Sequence, residues 1–308
     1  MANKAIKYRI YPTTEQCIMF SKTFGCCRKV YNLMLSDKIE GYKATGKFPI
    51  ITPAKYKKDY PYLKEVDSLA LANKRLDLQA AFRNAFNKSR KKKNGFPKFK
   101  SAKRSRKSYT TNNQKGIVAI VDKRYIKLPK IGKVKAVIHR SPNNSWILKS
   151  ATISQEPDGK YYVSVLFEFN KVENIYMVDK TNAIGLDYVS DGLYVDNNGN
   201  VGTNHKFYRE SHKKLAKEQR RLSRKIGSKK NEKKSNNYLK QLKKVNKIHR
   251  HIANQRKDNL HKISTEIVNQ YDVVCVETLN MQNMSNKNFG VCFYLCLNIN
   301  FLIETNIS

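Results

Sequence analysis

The chain has 308 residues, with 61 Lys and Arg against 24 Asp and Glu, a formal net charge of +37 and a sequence pI of about 10.0. One-signed charge on this scale opposes compaction through self-repulsion, which excludes an ordinary free metabolic enzyme and calls for a polyanionic partner, of which nucleic acid is the usual one. With 40% hydrophobic and 10% aromatic residues the chain is not disordered, and six Cys, two of them adjacent at Cys26-Cys27, exclude a secreted disulfide scaffold and point to a reducing cytoplasm.

The start, Met1-Ala-Asn-Lys-Ala-Ile-Lys-Tyr-Arg-Ile10, has no apolar run after its charges, so no secretory signal is expected. Residues 4–10 alternate as a short strand. Thr13 with Gln16 three residues on forms a capping box, which predicts a helix from about Glu15 to about Lys38. Cys17, Phe20, Phe24, Cys27, Tyr31 and Met34 give it an apolar face, so Cys26 and Cys27 are expected in the core. Pro49, Pro53 and Pro61 punctuate the next stretch. A second helix is expected from Ser68 to Lys88, with Leu71, Leu76, Leu78, Phe82 and Phe86 on its buried side. From about 115 the period changes to two, and strands are expected at 117–121, 125–128, 133–139, 146–154 and 160–169, with Asp158-Gly159 as a two-residue hairpin turn. Ala183–Asp187 reads as a short apolar strand paired with Gly192–Val195. A basic helical hairpin follows over about 208–269, interrupted at Gly227–Asn237, and Asp272–Glu277 reads as a buried strand. The apolar stretch Val291–Ile307 is interrupted by Asn298, Asn300 and Glu304 and is too short to span a bilayer, so no membrane is expected.

The charge is blocked along the chain. Residues 88–107 hold 11 Lys/Arg and no acid, and residues 213–250 hold 16 Lys/Arg and two acids. Acids nearly excluded from two long basic runs are the footprint of polyanion binding rather than of a solvated face. Lys91, Lys92, Lys93, Arg104 and Arg106 in the first run, and Arg220, Arg221, Arg224 and Lys225 in the second, are the candidate phosphate contacts. Tyr109 and Phe99, interleaved with the first run, are candidates for base stacking, with core packing the alternative for Phe99. His249 and His251 would point to different faces of a helix and suggest no metal site.

Asp187 and Glu277 each close an apolar strand. A carboxylate at the end of a buried strand is costly unless paired, hydrogen-bonded or metal-bound, and side-by-side strands would bring the two together to hold Mg²⁺ or Mn²⁺. On spacing alone, a loop start, a helix cap or a Lys partner is the stronger explanation of the two. Asp191 and Asp196 read as turn residues.

Lys7-Tyr-Arg-Ile-Tyr-Pro-Thr-Thr-Glu-Gln16, Phe24-Gly-Cys-Cys-Arg-Lys-Val-Tyr-Asn32, Asn94-Gly-Phe-Pro-Lys-Phe-Lys100, Ile184-Gly-Leu-Asp187-Tyr with Leu193-Tyr-Val-Asp196, and Val274-Cys-Val-Glu277-Thr-Leu-Asn-Met281 form an ordered set over about residues 4–290. The set resembles the TnpB/OrfB proteins of insertion sequences, which are related to type V CRISPR effectors. The resemblance implies a guide RNA from the mobile element, a double-stranded DNA target beside a short adjacent motif, and a RuvC-like domain of RNase H fold. It assigns Asp187 and Glu277 as the first and second catalytic carboxylates, with Mg or Mn as cofactor. The expected fold class is α+β and multidomain. A β-barrel or wedge region is expected over 1–12 and 112–178, with an inserted helical recognition domain over 13–111. A partial RuvC-like domain is expected over 179–290, and an apolar tail outside the resemblance over 291–308.

Members of that family carry a zinc ribbon of two Cys pairs and then a third catalytic Asp. Here the resemblance ends at Gly290, and Cys292 and Cys296 have no second pair, so no zinc is expected. A truncated chain with weak or absent DNA cleavage is the resulting expectation. The rivals are an active nuclease completed by Glu304, a partner or a different C-terminus, and a generic basic RNA-binding protein.

Overall fold

In the computed structural model the described residues are 1–87, 95–103, 105–170, 179–189, 192–226 and 234–276. They fall into two compact units, Met1–Val172 and Glu173–Ser308.

In the first unit, strand β1 (Ala2–Tyr11) buries Ile6, Tyr8 and Ile10, the inward half of its alternation. Thr13 then starts helix α1 (Thr14–Thr45). Its hydroxyl accepts from the Gln16 N–H, and the Gln16 side chain accepts from the Thr13 N–H, so both halves of the capping box are present. The helix runs about two turns past its expected end because nothing breaks it before Gly46, whose φ of 70° provides the left-handed cap. Two short 3₁₀ turns, Pro53–Lys57 and Pro61–Lys64, lead to helix α2 (Ser68–Phe86), capped by the Asp67 carboxylate. Leu71, Leu78 and Phe82 share its buried face. Leu76 and Phe86, expected there, are exposed. Leu76 lies about 200° around the helix from Leu78, and Phe86 stands in the last turn.

Six more strands complete an antiparallel curled sheet: β2 (Lys107–Asn112), β3 (Ala119–Val121), β4 (Tyr125–Leu128), β5 (Gly132–Val137), β6 (Ile147–Gln155) and β7 (Tyr161–Phe169). The strand order is β2-β6-β7-β1-β5-β4-β3. β1 pairs with β7 from Ala2 to Ile10 but with β5 only from Arg9 to Tyr11, so the sheet turns about its central strand. The β6–β7 connection is not a two-residue turn. The Glu156 N–H donates to the Lys160 carbonyl at 2.8 Å, closing Pro157-Asp158-Gly159 with Gly159 at φ 88°. That is a three-residue hairpin whose last position needs glycine. α1 and α2 pack with this sheet in one core that includes Phe20, Phe24, Tyr109, Ile153, Val163 and Phe167.

In the second unit, β8 (Ala183–Asp187) lies between β9 (Val195–Asp196) and β10 (Val273–Val276). β9 starts three residues later than the expected Gly192–Val195 pairing partner and shares only Val195 with it. Helices α3 (Phe207–Ser223) and α4 (Asn236–Gln270) pack through Leu215, Val245 and Ile252. Arg256 lies over the Tyr208 ring and Gln241 reaches Glu218, so later residues of α4 meet earlier residues of α3 and the pair is antiparallel. Ile267 of α4 packs on Ile184 and Leu186. Ile226 and Leu239 are apolar but exposed. No helix among the described residues is long and apolar enough to cross a membrane.

Candidate nucleic-acid interface and carboxylate centre

β8 and β10 are parallel neighbours, with Val274 opposite Ile184 and Val276 opposite Leu186. Asp187 follows Leu186 at the carboxyl end of β8, the edge where parallel strands present ligand-binding groups. Its Oδ1 accepts from the Tyr188 N–H at 2.6 Å. Alternation puts Ile184 and Leu186 in the core and leaves Asp187 exposed. The desolvation argument for a metal therefore does not apply to Asp187: a solvated carboxylate carries no burial penalty for an ion to relieve. An exposed oxygen donor at a strand end still fits a hard divalent cation. Glu277 lies outside the described residues, as do Asp191 and Glu304. Among the described residues no three His, Cys, Asp or Glu side chains cluster.

Asp196 is a turn residue. Its Oδ1 accepts from the N–H groups of Asn198 and Asn200, and its Oδ2 from the Asn200 amide. The Asn200 side chain above all holds its carboxyl below the usual range.

Among the described residues each unit carries a basic surface. On α3, His212, Lys213, Lys217, Arg220, Arg221 and Arg224 line an open trough of about 630 Å³. Arg221 donates to Glu218 at 2.7 Å, and Arg220, Arg224 and Lys225 are exposed to solvent. The four-residue spacing of Arg220 and Arg224 puts them on one face, about 6 Å apart along the axis. In the first unit a cleft of about 260 Å³ lies between α1, α2 and the segment leading into β2. Arg28, Lys74, Lys100, Arg106 and Lys107 line it against one acid, Asp77. The Lys74 side chain is only 8% exposed and pairs with Asp77 at 2.6 Å. The Lys100 ammonium sits 3.8 Å from the Tyr31 ring centroid. Burial, and then the nearby Lys74 charge, hold it below the ordinary lysine range. Arg106 also lies 3.8 Å from Glu156. Lys91, Lys92, Lys93 and Arg104 fall outside the described residues.

The sequence reading missed Arg28 and Lys74. Lys74 was findable: it stands three residues after Leu71 and four before Leu78, and a lysine on the apolar face of a helix needs a partner. The two stacking candidates exchange places. Tyr109 is 1% exposed, with its ring 5.7 Å from that of Phe24, and belongs to the core, whereas Phe99 is 58% exposed.

Residues 1–47 match the family model described as a helix-turn-helix domain of OrfB proteins, and residues 167–288 match the one described as a probable transposase. A Streptomyces pristinaespiralis protein is 31% identical over 301 residues, covering 91% of this chain and 68% of that protein. The chain belongs to the TnpB/OrfB family. That Streptomyces relative is provisionally named an RNA-guided DNA endonuclease. Escherichia coli InsQ, named in the same way, is 29% identical over 294 residues, covering 93% of this chain and 69% of its own. The fold resembles the protein chain of a cryo-EM complex titled Cas12f1-sgRNA-target DNA. The TM-score is 0.51 at 11% identity, over 99% of this chain and 87% of that one. In this TnpB/OrfB member the residues matched by the helix-turn-helix model form β1 and the single long helix α1.

Proposed function

We propose that this chain is an RNA-guided DNA-binding protein of a mobile element. On this reading Asp187 and Glu277 are its RuvC-like carboxylates, and a Mg²⁺ or Mn²⁺ ion held between them supplies the charge neutralisation that phosphodiester cleavage needs. The observation that carries the reading is the parallel pairing of β8 with β10. The two strands that the family resemblance marks as acid-bearing are hydrogen-bonded neighbours in register up to Leu186 and Val276. The basic cleft of the first unit and the trough on α3 supply phosphate contacts that hold nucleic acid without reading its sequence, which base pairing to the guide would read. The relatives' provisional names and the nucleic-acid complex of the fold neighbour agree with this partner class.

These 308 residues offer two of the family's acids at matched positions, and a two-ion centre needs more oxygen ligands than two carboxylates give. Weak cleavage by this chain is therefore part of the proposal. The test expresses the chain with its flanking element DNA, sequences the RNA that co-purifies, and supplies a plasmid matching that RNA with Mg²⁺. One defined RNA, guide-dependent plasmid binding and little cleavage are expected. Bulk cellular RNA without a preferred species would reject guided binding. Efficient cleavage lost in Asp187→Ala would reject the weak-nuclease part and leave the binding part standing.

A further inference from the structure

The far end of the α1–α2 pair carries an aromatic patch that neither the carboxylate strands nor the basic surfaces use. Tyr42 stacks on Phe48 at 4.5 Å with an 18° interplanar angle, and Phe48 meets Phe82 at 4.9 Å. Phe82 runs nearly parallel to Phe86 at 6.2 Å, and Phe96 stands edge-on to both, at 5.3 Å and 6.4 Å. Phe86 is 57% and Phe96 46% exposed, and Tyr42 is exposed as well. Contiguous aromatic surface open to water marks an interaction site. The Lys38 ammonium lies 6.0 Å from the Phe48 ring and 5.7 Å from that of Phe82.

We propose that this patch is a stacking platform for unpaired nucleobases. Charge selects that occupant. From Leu78 to Lys107 the sequence holds 12 Lys and Arg and no Asp or Glu. A nucleic-acid strand lays its phosphates against such cations while its bases stack on the rings. A second copy of this chain would bring +37 against like charge. The Phe86 ring, half of it free, offers a face to one base, and the neighbouring Phe96 holds it in orientation through an edge contact. The platform is separate from guided duplex recognition, since it needs no base pairing.

The 308-residue chain, freed of co-purified RNA, is titrated into labelled oligothymidylate and, in a second arm, oligouridylate, with anisotropy as the readout. Phe86→Ala is expected to weaken binding about tenfold, the effect of losing one base–ring stack, while the slope of affinity against salt stays as in the parent. Phe86→Trp keeps or tightens binding. Loss in only one arm identifies the strand as DNA or RNA. A Phe86→Ala, Phe96→Ala chain that melts like the parent and binds both oligomers as tightly would overturn the proposal. So would light scattering that shows a parental dimer split by the same changes, which assigns the patch to protein contact. Absence of a defined guide RNA bears on the proposed function alone, because neither oligomer depends on a guide.

Discussion

Tyr109 separates packing from nucleic-acid contact within the first basic run. On β2 it points inward between Lys107 and Thr111, pairs in register with Ile153 of β6, and sits with its ring against Phe24 of α1. An aromatic side chain buries about 150–250 Å², which at about 25 cal/mol per Å² corresponds to about 4–6 kcal/mol of transfer free energy. Truncation to Ala keeps the Cβ, lets neighbours relax in part and loses the ring contact with Phe24, which places the expected cost at about 4 kcal/mol. Urea unfolding followed by far-ultraviolet circular dichroism gives the measurement. With an m value of about 2 kcal/mol/M, the midpoint of the transition of the first unit falls by about 2 M in Tyr109→Ala. Phe99→Ala, at an exposed position, shifts it by less than about 0.3 M. A Tyr109→Ala chain with an unchanged midpoint, or one that loses oligonucleotide affinity at full stability, would refute the inward placement and restore Tyr109 as a stacking residue.

Burial pushes the Cys27 thiol up to about 12 and the Tyr109 phenol well above its ordinary value. Both groups ionise earlier in the unfolded chain, so their stabilising effect is complete below about pH 8.5 and is lost as pH rises through the folded values. The urea midpoint is thus expected to fall between pH 8.5 and about 11, and less steeply in Cys27→Ala; parallel curves for the two proteins would contradict the assignment. Gly159→Val forces a β-branched residue to a φ of 88° and should cost about 1–2 kcal/mol, seen as a melting temperature lower by about 3–6 °C. Arg220→Ala should lower the slope of log affinity against log salt for RNA by about one phosphate's worth without changing which RNA co-purifies, as sequencing of the bound RNA would check.

Elements announced by local chemistry were legible in the sequence. The Thr13–Gln16 box placed the start of α1, and the hydrophobic alternation of residues 161–169 placed β7. β2 was not legible, because its outward residues are Ser108, Thr110 and Asn112 and it opens on the exposed Lys107, and a strand with polar outer positions beside a basic run reads as part of that run. Its inward pair, Tyr109 and Thr111, becomes visible only once β6 supplies the register. The same effect inverted Tyr109 and Phe99. Composition treats two aromatics among lysines alike, and strand pairing decides which one the core takes. The acid-bearing strand β8 was legible from Ala183-Ile184-Gly185-Leu186, but the environment of its last residue was not. Alternation from buried Ile184 and Leu186 puts position 187 outside, and the apolar run obscured that.

The exposure of Asp187 bears on how an ion would be held there. A buried carboxylate cluster binds metal before substrate, since the ion relieves a desolvation cost already present in the folded chain. A solvated Asp187 has no such cost to relieve, and Mg²⁺ in particular dehydrates reluctantly and is commonly completed by substrate phosphates. On the proposed function, then, phosphate oxygens of bound nucleic acid complete the ion's shell, and occupancy follows loading. Titration with Mn²⁺ monitored by calorimetry should show weak binding to the protein alone and tighter binding once guide and target are present. The Asp187→Ala chain should lose the increment and keep its nucleic-acid affinity. Equally tight Mn²⁺ binding with and without nucleic acid would mean that the protein holds the ion by itself, through ligands beyond the two strand-end acids.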